Sequence, residues 1–176
     1  MTIAAELLEA IVFAAEQHKH QLRKGVEPAP YINHPLAVAH LLASTGGVDD
    51  LAILRAAILH DTVEDTGTTE NELRDRFGDK VADLVMEVTD DKSLPKPRRK
   101  ELQVEHASEK SSGATLVKLA DKTCNLRDIA AAPPADWSLE RKQEYFDWAK
   151  RVVDALPPTS APLRAAFDAA YCARPT

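Results

Sequence analysis

The sequence predicts an all-α fold, an irregular helical bundle, and three observations predict it. Apolar residues recur at helical spacing along most of the chain, Pro and Gly fall between the periodic segments, and no stretch alternates as a strand would. Composition agrees. Only 6 glycines and an aromatic share of 5 % stand against abundant Ala, Leu, Glu and Lys, a balance that favours helix over sheet. With 176 residues, 44 % of them hydrophobic and 28 % charged, the chain can bury one sizeable core and is short for two, so a single domain over residues 1–176 is expected.

The first helix places Ile3, Leu7, Ala10, Ile11 and Ala14 on one stripe and fades into HKHQLRKG at 18–25. Glu6 and Glu9 interrupt its apolar run, which argues against a signal peptide or a membrane span. Gly25, Pro28 and Pro30 mark a loop. A second helix is expected over 35–44, because Pro35 suits the first helical position, where an amide hydrogen would be unpaired anyway. His34 then stands at its mouth. Gly46 and Gly47 stop this helix, Asp49 or Asp50 can cap the next, and LAILRAAILHDTVED reads as one central, buried helix.

Thr69 followed three residues later by Glu72 is a capping-box signature for a helix ending near Gly78, and DKVADLVMEVTD continues as another. Leu94-Pro95-Lys96-Pro97 breaks the pattern. Further helices are expected over 98–109, 114–131, 138–155 and 161–172, separated by Ser111-Ser112-Gly113, Pro133-Pro134 and Pro157-Pro158.

A formal net charge of −6 argues against sequence-independent nucleic-acid binding, since the overall field would repel a phosphate polymer. A small anionic ligand needs only local positive charge. HKHQLRK at 18–24 and KPRRK at 96–100 can supply it, although clusters of this size also serve as solvated faces. Cys124 and Cys172 form no close pair and no zinc spacing, so a reduced cytoplasm is the expected location.

The chemistry concentrates at His60-Asp61-Thr62-Val63-Glu64-Asp65. On a continuous helix of about 100° per residue, His60, Glu64, Asp61 and Asp65 span only about 140° of arc. Crowding three carboxylates and an imidazole at the end of a buried helix is costly, and a divalent cation removes the cost. The bland alternative is a helix end whose acids face water. A second helix, LVKLADKTCNLRDI, sets Asp121 and Asn125 on one face with Leu116, Leu119 and Leu126 opposite; here the bland alternative is a surface ion pair of Asp121 with Lys118 or Lys122. Together His34, His60, Asp61 and Asp121 offer two nitrogen and two oxygen donors from three segments. That set suits Mn²⁺, Fe²⁺ or Zn²⁺, and Glu64 and Asp65 remain for proton transfer or for orienting a water.

The H…HD…D pattern of His34, His60-Asp61 and Asp121 resembles that of the HD-domain phosphohydrolases. HDTVEDT is similar to the hydrolase domain of the RelA/SpoT alarmone enzymes, as are RKG at 23–25, PYINHPLAVA at 30–39, VTDDKSLPK at 88–96, LVKLADKTCNLRD at 116–128 and EYFDWAKRVV at 144–153. The whole resembles the small stand-alone alarmone hydrolases of the metazoan SpoT homolog type. The resemblance implies an all-helical HD-type fold and a Mn²⁺-dependent hydrolase that removes the 3′-diphosphate of (p)ppGpp to leave GDP or GTP and pyrophosphate. It implies manganese on His34, His60, Asp61 and Asp121, and water activation by Glu64 and Asp65. It further implies nucleotide and 3′-diphosphate contacts by Arg23 and Lys24, ribose contacts by Asn125, and 5′-phosphate contacts by Tyr145 and Arg141. For Tyr145, packing beside Trp148 is a competing role. A substrate such as (p)ppApp, or the 2′-phosphate of NADPH, fits the same metal and basic groups, and a non-catalytic nucleotide sensor is the rival from another class. A sensor has no need of the intact Glu64-Asp65 pair.

Overall fold

The computed structural model describes residues 2–25 and 28–176. Its helices are α1 (Ile3–Gln17), α2 (Asn33–Ser44), α3 (Leu51–Leu59), α4 (Thr62–Asp65), α5 (Glu70–Phe77), α6 (Asp79–Val88), α7 (Lys96–Glu105), α8 (Ser112–Ala131), α9 (Leu139–Ala155) and α10 (Ala161–Tyr171), with a 3₁₀ turn at Ala107–Glu109. Among the described residues no strand forms, and Leu22 and Pro30 make a lone antiparallel bridge. The fold is all-α. No helix among these residues is long and apolar enough to cross a membrane.

Local chemistry sets most boundaries. Side chains of Thr2, Asp50, Thr69, Ser111, Ser138 and Ser160 accept from backbone amides of the first turn of α1, α3, α5, α8, α9 and α10, satisfying donors that have no partner within the helix. Gly78 ends α5 at φ +85°, a left-handed value that any side chain would strain. α2 starts two residues earlier than its proline suggests. Pro35 sits in the third position, where the amide is still unpaired, so His34 lies inside the first turn. The helix expected over 98–109 begins instead at Lys96 and gives way to the 3₁₀ turn after Glu105.

The larger departure is at the chemistry-bearing segment. LAILRAAILHDTVED is two helices, broken at His60-Asp61, because side chains there take over the backbone carbonyls. His60 Nδ1 bonds Ala57 O at 2.7 Å and Thr62 Oγ1 donates to Leu59 O at 2.7 Å. Asp61, at φ −98° and ψ −3°, opens the short helix α4. The single 140° face expected for the four ionisable groups does not exist.

α8 is the axis of the core. Thirteen of its residues, Gly113 to Ile129, are buried, and α2, α3, α6, α9 and α10 all pack on it. α3 in turn contacts α1, α2 and α6, and its buried Arg55 reaches Glu6 at 3.2 Å and Glu9 at 3.4 Å on α1. These pairs explain the acids inside the apolar stripe of α1. Ile3, the first residue of that stripe, is 71 % exposed, so burial begins a turn or more later, at Ala10, Phe13 and Ala14.

Gly46 is where α2 turns beneath α10. A Cβ there would stand 2.6 Å from Leu42 O and 2.9 Å from Leu163 Cδ1. Backbone cannot yield as a side-chain tip can, so Gly46→Ala is expected to cost about 1–3 kcal/mol of stability. Urea unfolding of the two proteins measures it; an unchanged midpoint contradicts the packing described.

Candidate metal centre

Three elements converge on one point. α2 brings His34 in its first turn, the break after α3 brings His60 and Asp61, and the middle of α8 brings Asp121. His34, His60 and Asp121 are all buried, and one donor atom from each lies within 4.8 Å of the other two. His34 Nε2 is 3.1 Å from Asp121 Oδ1, and His60 Nε2 is 3.8 Å from the same oxygen. Asp61 Oδ2 lies 3.1 Å from His60 Nε2 and 3.9 Å from His34 Nε2. Asp61 is outside the tight group of three but beside it.

The donor set fits a divalent ion on the chemistry of the ring nitrogens. A carbonyl only accepts, so the bond to Ala57 O puts a proton on His60 Nδ1 and turns Nε2 into the cluster. That buried Nε2 has no aligned hydrogen-bond partner among the described residues. The carboxylates are oriented from outside: Tyr31 donates to Asp61 Oδ2 at 2.6 Å, and Asn125 Nδ2 donates to Asp121 Oδ1 at 2.6 Å. Lys122, buried on α8, places Nζ 3.3 Å from Asp121 Oδ2 and 4.3 Å from the centre of the Trp148 ring. Among the described residues no cysteine joins the cluster.

Charge follows from this packing. Burial works against an ionised Asp121, but Lys122, His34 and His60 outweigh it and hold the carboxyl well below its usual range. Burial also works against ionised Asp61, and His60 and His34 reverse it. For His60, burial disfavours the charged ring, yet Asp61 and Asp121 lift it from 6.5 to about 9. Burial and Asp61 together push the Tyr31 phenol far up, so it stays a donor.

Glu64 and Asp65 leave the break in different directions. Glu64 accepts from Asp90 N at 3.2 Å and lies 3.4 Å from Arg99; burial, then Asp90, raises its pKa. Asp65 accepts from Gln21 Nε2 at 3.1 Å and pairs with Lys92. Residues 90–99 thus close one wall, with Gln103 donating to Asp90 at 2.6 Å behind it.

The basic residues divide into two cavities. Arg23 and Lys24 line one of about 350 Å³ with Asn33, His34 and Asp128. In it Arg23 Nη2 is 2.9 Å from Asn125 Oδ1 and 2.6 Å from Asp128 Oδ2. Arg141 and Tyr145 line another of about 410 Å³ with Lys96, Lys100 and Trp137. Arg141 sits over the Trp137 ring at 4.6 Å, and Tyr145 packs against both Trp137 and Trp148, at 5.6 and 5.2 Å between centroids. Packing and cavity lining coexist at Tyr145.

Several participants were not legible from the motifs. Tyr31 lies within PYINHP, where only the neighbouring His stood out, and Lys122 enters the sequence reading only as a surface partner of Asp121, whereas the pair they form is buried; Lys92, Asp90 and Arg99 lie in a segment that reads as a helix breaker and a basic patch. Their signal is proximity in space, which no local spacing carries.

Fold and cluster together define a helical protein with a buried His/Asp cluster that could hold a metal ion. Residues 10–147 match the family described as HD domain. The chain is 56 % identical over 165 residues to guanosine-3′,5′-bis(diphosphate) 3′-pyrophosphohydrolase MESH1 of Xenopus tropicalis, spanning 94 % of this chain and 92 % of that one. It is 55 % identical over 164 residues to the Homo sapiens protein of the same name, spanning 93 % and 92 %. A solved structure of a metazoan ortholog of SpoT that hydrolyzes ppGpp matches with a TM-score of 0.94 at 44 % identity, over 97 % of this chain and 96 % of that one. The chain therefore belongs to the HD-domain family and, within it, to the MESH1 group.

The raised His60 pKa sets a sign. Protonation of His60 stabilises the metal-free fold fully below about pH 6.5, and this is lost as pH rises through about 9. A metal ion needs the neutral ring, so its affinity should rise over the same window as the proton becomes easier to displace. Calorimetric titration with a divalent ion from pH 6.5 to 9, alongside melting curves of the metal-free protein, reads both. Affinity independent of pH contradicts the assignment.

Proposed function

We propose that this protein is a Mn²⁺-dependent pyrophosphohydrolase that converts (p)ppGpp to GDP or GTP and pyrophosphate. The observation that supports this reading most directly is the juxtaposition of the His34, His60 and Asp121 cluster with a cavity lined by Arg23, Lys24 and His34 itself. The names of the MESH1 relatives point to the same substrate. In this reading His34, His60, Asp61 and Asp121 hold Mn²⁺. The ion supplies Lewis-acid polarisation of a phosphoryl oxygen and a lowered pKa for water.

The residues of the chain do the rest. Arg23 and Lys24 bind the 3′-diphosphate, which meets positive charge beside the His/Asp cluster. Asn125, between Arg23 and Asp121, contacts the ribose, and the cavity with Arg141 and Tyr145 receives the 5′ phosphates. Water attacks the phosphorus attached to the ribose 3′ oxygen. The bond from that oxygen to phosphorus breaks, the hydroxyl adds to the departing diphosphate, and a proton returns to the 3′ oxygen. Glu64 and Asp65 orient the water and take up its proton. Glu64, whose pKa is raised by burial and then by Asp90, is suited to giving a proton back, and Asp65, held by Gln21 at one oxygen and paired with the exposed Lys92 at the other, to accepting one.

Purified protein with ppGpp and Mn²⁺ should release pyrophosphate and GDP in equal amounts. Release of orthophosphate rejects the mechanism. Replacing Glu64 or Asp65 by Ala is expected to lower kcat about 10²- to 10⁴-fold, with Mn²⁺ affinity retained. Turnover that survives both replacements shows that the roles are wrong.

A further inference from the structure

The segment HKHQLRK reads as surface charge, yet His18 within it is 2 % exposed. Its neighbour Gln21 is half-buried and reaches a residue 44 positions away: Gln21 Nε2 donates to Asp65 Oδ2 at 3.1 Å. His18 Nδ1 lies 2.7 Å from Gln21 Oε1.

Donor and acceptor rules run this chain in one direction. An ionised carboxylate only accepts, so Gln21 must turn its NH₂ group to Asp65. Its carbonyl oxygen is then left for His18, and a carbonyl also only accepts. His18 must therefore carry its proton on Nδ1. The ring that presents this proton is fixed by stacking on Tyr31, with centroids 4.8 Å apart and planes 31° from parallel. Tyr31 is itself anchored by its bond to Asp61. The other oxygen of Asp65 pairs with Lys92, whose side chain is 47 % exposed and ends a long flexible stem. Such exposed pairs are weak and easily exchanged, whereas the bond from Gln21 is backed by a buried ring.

We propose that His18 and Gln21 are positioning residues for Asp65. A relay of two hydrogen bonds, from His18 Nδ1 to Gln21 and from Gln21 to Asp65, fixes one carboxylate oxygen and leaves Oδ1 as the oxygen that faces the reacting water. This inference rests on the reading of Asp65 as a water-activating group.

Two measurements separate the relay from that reading. Long-range ¹H–¹⁵N correlation spectra of the metal-free protein report the His18 tautomer without any turnover. Nδ1–H is expected in the wild type, with its hydrogen-bonded proton shifted in Gln21→Met. In kinetics with ppGpp and Mn²⁺, Gln21→Met, nearly the same shape without a donor, should lower kcat about 10- to 100-fold while KM and Mn²⁺ affinity stay put. His18→Asn sets an amide nitrogen where Nδ1 was and should recover most of kcat; His18→Gln, whose nitrogen falls at the Nε2 position, should not. Melting curves identify any variant that fails to fold, and Gln21→Met keeps the test open if the His18 variants do. An Nε2–H tautomer, wild-type kcat in Gln21→Met, or equal losses in the two His18 variants overturns the relay. If the wild type does not turn over ppGpp at all, the functional reading falls and the spectra alone decide the relay.

Discussion

Asp121 is a charged carboxylate in the middle of the most enclosed helix of the protein, and much of the surrounding structure serves to compensate it. On a helix with thirteen buried residues it is only 7 % exposed, and each of its oxygens is met by a partner: His34 and Asn125 at one, Lys122 at the other. Taking away one member of such a group leaves the remainder as uncompensated buried charge, which is far costlier than the pair is stabilising. The constraint fixes where α2 and the end of α3 must lie relative to α8. It also explains Lys122, a buried ammonium lodged over Trp148 with no solvent to turn to.

The break after α3 separates the two halves of the chemistry. Had the helix continued, Glu64 and Asp65 would have faced the same way as His60 and Asp61, and their charges would have crowded the cluster. With the turn at Asp61, the imidazole and first carboxylate point inward, and the next pair reaches two separate walls. One wall is Asp90 with Arg99, the other Gln21 with Lys92. The paired cations offset what would otherwise be a run of like charges.

What could be read from the chain alone follows the range of the interactions involved. Caps, glycine stops and apolar periodicity act within a few residues, so the all-α fold and most helix ends were legible, Asp50 and Thr69 among them, while α8 starts at Ser112 rather than at 114 because Ser111 caps it. The break at His60-Asp61 was not. Its apolar lead-in continues a helix perfectly well, and only side-chain capture of the Ala57 and Leu59 carbonyls stops it. The gathering of His34, His60 and Asp121 could be anticipated because two residue types that ligate metals recur in the H…HD…D pattern, although the sequence set Asp121 on the face away from the leucines and the structure buries it. Gln21 and His18 could not, because neutral or basic residues among lysines carry no mark of burial; their meaning comes from Asp65, far away in sequence.

The central claim is that one divalent ion sits among His34, His60, Asp61 and Asp121 and that the substrate diphosphate comes to it. Anomalous scattering from a crystal of the Mn²⁺-loaded protein tests this most directly. The account predicts a single strong peak within bonding distance of the inward ring nitrogens of His34 and His60 and of oxygens of Asp61 and Asp121. A peak held instead by Glu64, Asp65 or Asp90, with none in the His/Asp cluster, would contradict it.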